Sequence, residues 1–350
     1  MSTLTPLQTQ LTANALFKTI PILQTHDLAV GYGGRVPRVV SQAINVSLRA
    51  GELVCLIGPN GAGKSTLMRT LAGMQPPLSG SVMLMGDDVH QLPARDLARR
   101  LSVVLTERIN PGLLSAYTLV ALGRHPYTDW SGHLSAHDEA VVRQAIADVG
   151  AESLADRQVG ELSDGERQKI MIARALAQEP ALMILDEPTA FLDLPRRVET
   201  MQLLRRLAHE SHRAILLSTH DLDLALRTAD RIWLMPSGGQ LQVGAPEDLV
   251  LSGAFEAAFR AEGVTFDAQT GAFRVSSETQ GSISVVGDGL PALWTRRALE
   301  RAGFSVTSDG AALAQVEVEP SRWRLNAGSE IEEYASLYDL IEALRGFKNG

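Results

Sequence analysis

The stretch Gly58-Pro59-Asn60-Gly61-Ala62-Gly63-Lys64-Ser65-Thr66 constrains this chain more than any other. It fits the P-loop pattern G-x-x-x-x-G-K-[ST] without a mismatch. Its glycines let the backbone bend until successive N–H groups converge on phosphate oxygens. The helix that follows adds its positive end. Lys64 is of a length to reach β- and γ-phosphates, and Ser65 offers a hydroxyl to Mg2+. The context is the one the motif requires. The apolar run 53–57 reads as a buried strand, residues 66–72 as the opening of a helix, and Gly73 as its stop. A glycine-rich turn without a ligand is the alternative, and the complete motif in this context argues against it. All nine residues are therefore candidate contacts to a nucleotide, with Lys64 also a candidate catalytic group.

A second signal lies downstream. The continuous apolar runs 181–185 and 214–218 have the character of strands buried on both faces of a parallel sheet. Strands alternating with helical segments predict an α/β core. Asp186 and Glu187 close the first run, at the strand end where open α/β sheets bind ligands. Asp186 suits an aspartate in a Mg2+ shell, and Glu187 is then placed to polarise an attacking water. A solvated acidic turn is the competing explanation, weakened by the P-loop upstream. A third signal is Leu162-Ser163-Asp164-Gly165-Glu166. Ser163-x-x-Glu166 is itself a capping box for a helix running to residue 178.

Together these landmarks resemble an ATP-binding-cassette (ABC) ATPase, the nucleotide-binding subunit of a transporter. They occur in family order: Tyr32, the P-loop, the signature at 162–166, Asp186-Glu187, the D-loop-like Ala190-Phe191-Leu192-Asp193, and His220 within Ser218-Thr219-His220-Asp221. The resemblance covers about residues 22–255. It implies a RecA-like core with a helical subdomain, bound ATP and Mg2+, and head-to-tail pairing of two cassettes. Ser163, Gly165 and Glu166 would then meet the γ-phosphate in trans, Asp193 would position the opposite P-loop, Tyr32 would stack on adenine, and His220 would contact the γ-phosphate and the water. A turn tyrosine packed on the core is the plainer account of Tyr32.

Within the cassette the chain departs from the family pattern in two places, and the C-terminal unit is a third departure. Family members usually carry Gln where the core enters the helical subdomain. Here the sequence reads Val103-Val104-Leu105-Thr106-Glu107-Arg108, and Thr106 aligns best as a Mg2+ or water contact, with Glu107 the alternative. The signature also has Asp164 and Glu166 where Gly and Gln are usual. Two carboxylates suit a helix N-terminus but repel a triphosphate, so they must point aside or weaken affinity.

The segment Val120-Ala121-Leu122-Gly123-Arg124-His125-Pro126 resembles one found in importers of ferric siderophores, haem and cobalamin. That implies an ATP-driven importer subunit with iron chelates the leading cargo and haem or cobalamin the alternatives. The implied partners are a membrane permease and, indirectly, a periplasmic or extracellular substrate-binding protein. The implied location is peripheral, on the cytoplasmic face of the cell membrane. Arg124 and His125 would be docking residues or simply surface ones. Two other classes compete: a soluble ABC ATPase acting on ribosomes or DNA, and a non-hydrolysing regulatory module. The single cassette argues against the first, and intact Lys64, Asp186, Glu187 and His220 against the second.

Composition narrows the choice. A net charge of −8 argues against nucleic acid as a partner. No apolar stretch approaches the roughly 20 residues that span a bilayer, and residues 1–19 do not have the pattern of a signal peptide. The one cysteine, Cys55, falls in a core strand and excludes an intramolecular disulfide. With 350 residues there is room for more than one domain. The expected organisation is an N-terminal extension (1–20), the ATPase domain (21–262, helical subdomain about 93–178) and a small α/β domain (275–350). Helices are expected at 94–100, 118–123 and 136–149, the last capped by Ser135. The small domain should run strand 282–286, helix 291–302, strand 304–307, strand 315–318, helix 336–345. Within it, Gly287-Asp288-Gly289-Leu290 reads as a plain turn rather than an anion site.

Overall fold

The computed structural model describes residues 21–106, 113–130, 132–260, 264–268, 271–275, 281–307, 312, 314–327 and 330–346. The N-terminal extension and Glu107 lie outside the described residues. The chain divides into two compact units, residues 1–260 with 266–273, and residues 261–265 with 274–350.

The first unit is built on two sheets. Its strands are β1 (Pro21–Tyr32), β2 (Arg38–Ile44), β3 (Ser47–Arg49), β4 (Leu53–Ile57), β5 (Ser79–Leu84), β6 (Asp87–Asp88), β7 (Leu101–Val104), β8 (Leu182–Leu185), β9 (Ala214–Ser218), β10 (Arg231–Leu234) and β11 (Gln242–Gly244). The larger sheet runs β11-β10-β4-β9-β8-β7. Its β10-β4, β4-β9, β9-β8 and β8-β7 pairs are parallel, and β11 is an antiparallel edge. Every residue of β4, β8 and β9 is buried, because helices or the second sheet cover both faces. Alternate residues of each strand feed different cores. Leu53, Cys55, Ile57, Met183, Leu185, Ile215 and Leu217 join a core with helices Ala116–Ala121, Ala136–Asp148 and Asp164–Ala177. Val54, Leu56, Leu182, Ile184, Ala214 and Leu216 join a second core with helix Lys64–Leu71 and the smaller sheet. Each fully buried aliphatic side chain contributes about 1.5–3 kcal/mol, so an exchange of one residue in register would invert both cores at once.

The smaller sheet runs β2-β1-β5-β6, with β3 also on β1. Residues 43–48 alternate in the manner of one strand, but the structure breaks the run between β2 and β3. Ala43 has φ 55°, and the buried Thr25 hydroxyl fills the gap, donating to the Ile44 carbonyl and accepting from the Val46 amide, both at 2.9 Å. Of the expected helices, Ala94–Arg100 forms at the anticipated bounds. The second starts earlier, at Ala116, and continues through a 3-10 turn, Leu122–Arg124. Ser135 caps the third with a capping box to Asp138. Helix Lys64–Leu71 ends on Ala72, followed by Gly73 at φ 74°. Among the described residues, no helix is long and apolar enough to cross a membrane.

A two-stranded sheet of β12 (Val264–Asp267) and β13 (Ala272–Val275) occupies the stretch left between the two expected domains. The second unit then has β14 (Ser282–Val286), helix Gly289–Arg301, β15 (Ser305–Thr307), β16 (Ala314–Glu319), β17 (Arg322–Ala327), β18 (Glu330–Tyr334) and helix Leu337–Gly346. Its sheet order is β15-β14-β16-β17-β18. β17 and β18 were not anticipated. They alternate apolar with charged residues: Trp323 and Leu325 face a core with Ile283, Val285, Leu299 and Leu340, while Arg324 ion-pairs with Glu333 at 2.7 Å and Glu319 at 3.2 Å.

Candidate nucleotide site

The P-loop follows β4 and leads into helix Lys64–Leu71. Gly63 caps that helix at φ 107°, and Gly61 has φ 78°, both in the left-handed region open to glycine at no steric cost. Space excludes side chains as well. A Cβ at Gly58 would lie 2.1 Å from the Met235 carbonyl oxygen, and one at Gly63 would lie 2.1 Å from Val40 Cγ1. Asn60, Gly61 and Ser65 are exposed, whereas Ala62 and Thr66 are buried, and the Ala62 amide donates to Pro59 O at 3.3 Å. The buried Lys64 donates from Nζ to Gly58 O at 2.7 Å and Pro59 O at 3.2 Å. Burial pushes its ammonium below the usual lysine range, and the nearby charges of Glu187 and Asp186 oppose that shift. Tyr32 OH lies 3.3 Å from Thr66 Oγ1 with the side chain half exposed, so its phenol is tethered to the P-loop helix.

Asp186 and Glu187 leave the end of β8. The Asp186 amide donates to Val104 O at 2.8 Å, and its carbonyl accepts from Thr106 Oγ1 at 2.6 Å. Ser218, fully buried at the end of β9, donates to Asp186 Oδ1 at 2.7 Å and accepts from the Glu187 amide at 2.9 Å. Glu187 adopts φ 49°, a left-handed conformation that costs a non-glycine residue about 1 kcal/mol. Its Oε1 lies 2.6 Å from His220 Nε2. His220 is presented between β9 and helix Leu222–Thr228, which Asp221 caps by accepting from the Leu224 amide. A cleft of about 600 Å3 opens beside this pair, lined in part by Thr189, Arg197, Asp221 and Gly271.

The signature residues are held as a second group. Ser163 and Glu166 form the expected capping box. Glu166 Oε2 accepts from Ser163 N at 2.9 Å and Ser163 Oγ at 2.8 Å, and Glu166 Oε1 pairs with Arg157 at 3.1 Å. Hydrogen bonds from the Ser163 amide, then its hydroxyl, hold the Glu166 carboxyl below its usual range. Asp164 lies 3.5 Å from Arg167. Both acidic departures thus turn toward arginines. Gly165 faces the Arg196 side chain, whose Cδ would lie 3.4 Å from a Cβ there. Asp193 caps helix Leu194–Ser211 by accepting from the Arg196 amide at 3.0 Å.

The structure therefore gathers Lys64, Thr106, Asp186, Glu187, Ser218 and His220 into one neighbourhood and keeps Ser163, Gly165, Glu166 and Asp193 in another. Ser218 is the member that sequence reasoning passed over. Its one signal is a serine closing an otherwise apolar strand. Arg124 is neither a docking nor a surface residue. It is 1% exposed, donates to Asp138 Oδ1 at 2.8 Å, Ala177 O at 2.8 Å and Glu179 Oε2 at 2.7 Å, and its guanidinium carbon sits 3.9 Å from the Tyr127 ring centroid. His125 beside it is exposed.

A phosphate cradle after the central parallel strand β4, with a carboxylate pair at the same end of β8 beyond the intervening β9, defines a P-loop nucleoside triphosphatase. The chain belongs to the ABC transporter family and is an ATP-binding, ATP-hydrolysing subunit of the importer type. The family described as ABC transporter matches residues 41–190, and the family described as iron ABC transporter C-terminal domain matches residues 280–345. An ABC transporter ATP-binding protein of Methanocaldococcus jannaschii is 48% identical, over 65% of this chain and 78% of that one. The cobalamin import ATP-binding protein BtuD of Halobacterium salinarum is 38% identical over 80% of this chain and 72% of its own length. The iron(3+)-hydroxamate import ATP-binding protein FhuC of Bacillus subtilis is 36% identical over 63% and 81%. Among solved structures, the dimeric post-hydrolysis state of the cassette MJ0796 bound to ADP and Pi superposes with a TM-score of 0.55 at 25% identity, covering 64% of this chain and 98% of that chain.

Proposed function

We propose that this chain drives uptake of a ferric siderophore or related metal chelate, with Glu187 as the group that activates water. The observation that carries this reading is the Glu187–His220 pair at 2.6 Å, in the neighbourhood that Asp186 and Lys64 share. Lys64 exchanges its bonds to the Gly58 and Pro59 carbonyls for β- and γ-phosphate oxygens. Glu187 takes the water's proton as the γ-phosphoryl leaves, and His220 holds that carboxylate toward the water.

The residues present fit Mg2+. Asp186 Oδ1 accepts from Ser218, which leaves Oδ2 for a metal, and Ser65 offers an exposed hydroxyl. Among the described residues no group of three His, Cys, Asp or Glu could hold a metal alone, as expected for an ion that draws its other ligands from phosphate and water. Bound there, it would neutralise charge on the phosphates. Thr106 reaches this set through the Asp186 carbonyl.

Two copies pair head to tail, so that Ser163, Gly165 and Glu166 of one close over the triphosphate of the other and Asp193 braces the opposing loop. The permease docks in a groove of about 480 Å3 lined by Met74, Leu97, Leu105, Met171 and Arg174. Met74 and Leu105 are exposed large apolar residues, and Leu105 adjoins Thr106, so the groove connects to Asp186 through one hydrogen bond. A substrate-binding protein delivers cargo to the permease, and the chain works at the cytoplasmic face of the membrane.

The match to an iron C-terminal domain favours iron chelates. The long alignment with a cobalamin importer subunit makes cobalamin the second reading. Glu187→Gln should keep ATP binding and lose turnover by about 100-fold or more. In cells lacking this chain, the wild type but not that variant should restore uptake of a labelled ferric siderophore. Uptake that never depended on the chain would move cobalamin ahead, and wild-type turnover by the variant would remove Glu187 from its role.

A further inference from the structure

We infer that Ser218 is a positioning residue for the metal–nucleotide complex, selecting which oxygen of Asp186 faces the metal and setting the backbone of Glu187. This rests on the nucleotide-site reading above. Its hydroxyl is used in both directions. The proton goes to Asp186 Oδ1 at 2.7 Å, and a lone pair receives the Glu187 amide at 2.9 Å. The side chain is completely buried, so water does not compete for either bond.

The arrangement follows from register. β8 and β9 run parallel with Leu185 opposite Leu217. Residues 186 and 218 are therefore the next residues along the two strands, one leaving the sheet and the other ending β9. The β9 backbone at Ser218 pairs with Leu56 of β4, so the hydroxyl is referenced to the strand that leads into the P-loop and Lys64. From the other side Thr106 Oγ1 bonds the Asp186 carbonyl at 2.6 Å and Val104 O takes its amide. Ser218 supplies the bond to the carboxylate within this frame. With Oδ1 engaged by a donor, Oδ2 is left to face a metal or its water. The same hydroxyl caps the amide of a residue at φ 49°, which turns the Glu187 side chain toward His220.

A serine that only filled space would affect folding. A positioning serine affects metal binding with folding intact. The experiment is Mn2+ binding to the full chain with ATP, read by electron paramagnetic resonance, for wild type, Ser218→Ala, Ser218→Thr and Asp186→Asn. Fluorescent ATP binding in excess chelator and the thermal midpoint are read in parallel. Ser218→Ala should bind nucleotide without metal within about twofold of wild type and lose about tenfold or more in Mn2+ affinity. Ser218→Thr, which keeps the hydroxyl, should recover most of that. If the alanine variant does not fold, Ser218→Cys keeps the volume with a weak donor and should show the same direction of shift. Wild-type Mn2+ affinity in a folded Ser218→Ala or Ser218→Cys overturns the inference. Wild-type Mn2+ affinity in Asp186→Asn instead overturns the nucleotide–metal reading itself.

Discussion

Glu166 carries a structural duty beside the chemical one proposed for it. Its carboxylate accepts both the amide and the hydroxyl of Ser163, which builds the helix end where a second copy's γ-phosphate would sit. A glutamine amide oxygen can accept the same two bonds but cannot pair with Arg157. Glu166→Gln should therefore cost under about 1 kcal/mol of stability, the worth of an exposed ion pair. By removing a negative charge from the helix end proposed to meet a triphosphate it should lower the apparent KM for ATP about threefold. ATPase titrations with a parallel thermal melt check both. An unchanged KM would show that Arg157 already turns the carboxylate away from the nucleotide. At this scale sequence reading was strong where a residue type is dictated by its immediate neighbours. Gly58, Gly63 and Ser163 each take the backbone or capping role that their local pattern implies. It was blind to Ser218, whose importance arises only when β8 and β9 lie in register.

Elements, in contrast to residues, were legible in proportion to how uniformly they are buried. β4, β8 and β9 stand out as apolar runs because both faces are covered. β17 and β18 are half charged because the sheet of the second unit carries ion pairs on one face, and their pattern merges with that of a loop. The segment around Arg124 misled for the opposite reason: a charged residue reads as surface unless its partners are known. Arg124 joins the 3-10 turn Leu122–Arg124 to helix Ala136–Asp148 through Asp138 and to the end of helix Asp164–Ala177 through the Ala177 carbonyl. Arg124→Ala would strand a buried carboxylate and should cost about 3 kcal/mol in chemical denaturation. The Asp138 carboxyl is held down to about 2, first by the Ser135 hydroxyl, against burial, with the Ser135 amide and Arg124 adding to it. A depressed value stabilises the fold above the unfolded value near 4 and is lost as pH falls toward 2. Acid unfolding of wild type should begin within that window, and Arg124→Ala should unfold at higher pH.

Seen as a whole molecule, the chain carries two units with separate cores, and every residue proposed for the nucleotide chemistry lies between Tyr32 and His220 in the first. A chain ending at residue 280 should keep ATP hydrolysis within about twofold of wild type. The effect of removing the second unit would appear, if that unit regulates the motor or stabilises its dimer, in dimer dissociation or in uptake. Unchanged dimerisation and uptake would leave it no role in either. Cys55 adds a practical consequence. It is the one cysteine of the chain, has no exposed surface, and burial, with the Asp230 charge, pushes its thiol well above the usual range. A thiol that stays protonated and out of reach does not react with maleimides or bifunctional crosslinkers. The unaltered sequence is therefore its own silent background: a cysteine placed at Phe191, Leu105 or Trp294 would be the single label in the molecule, and distances between two copies through an ATP cycle could be followed without first engineering a reactive thiol away.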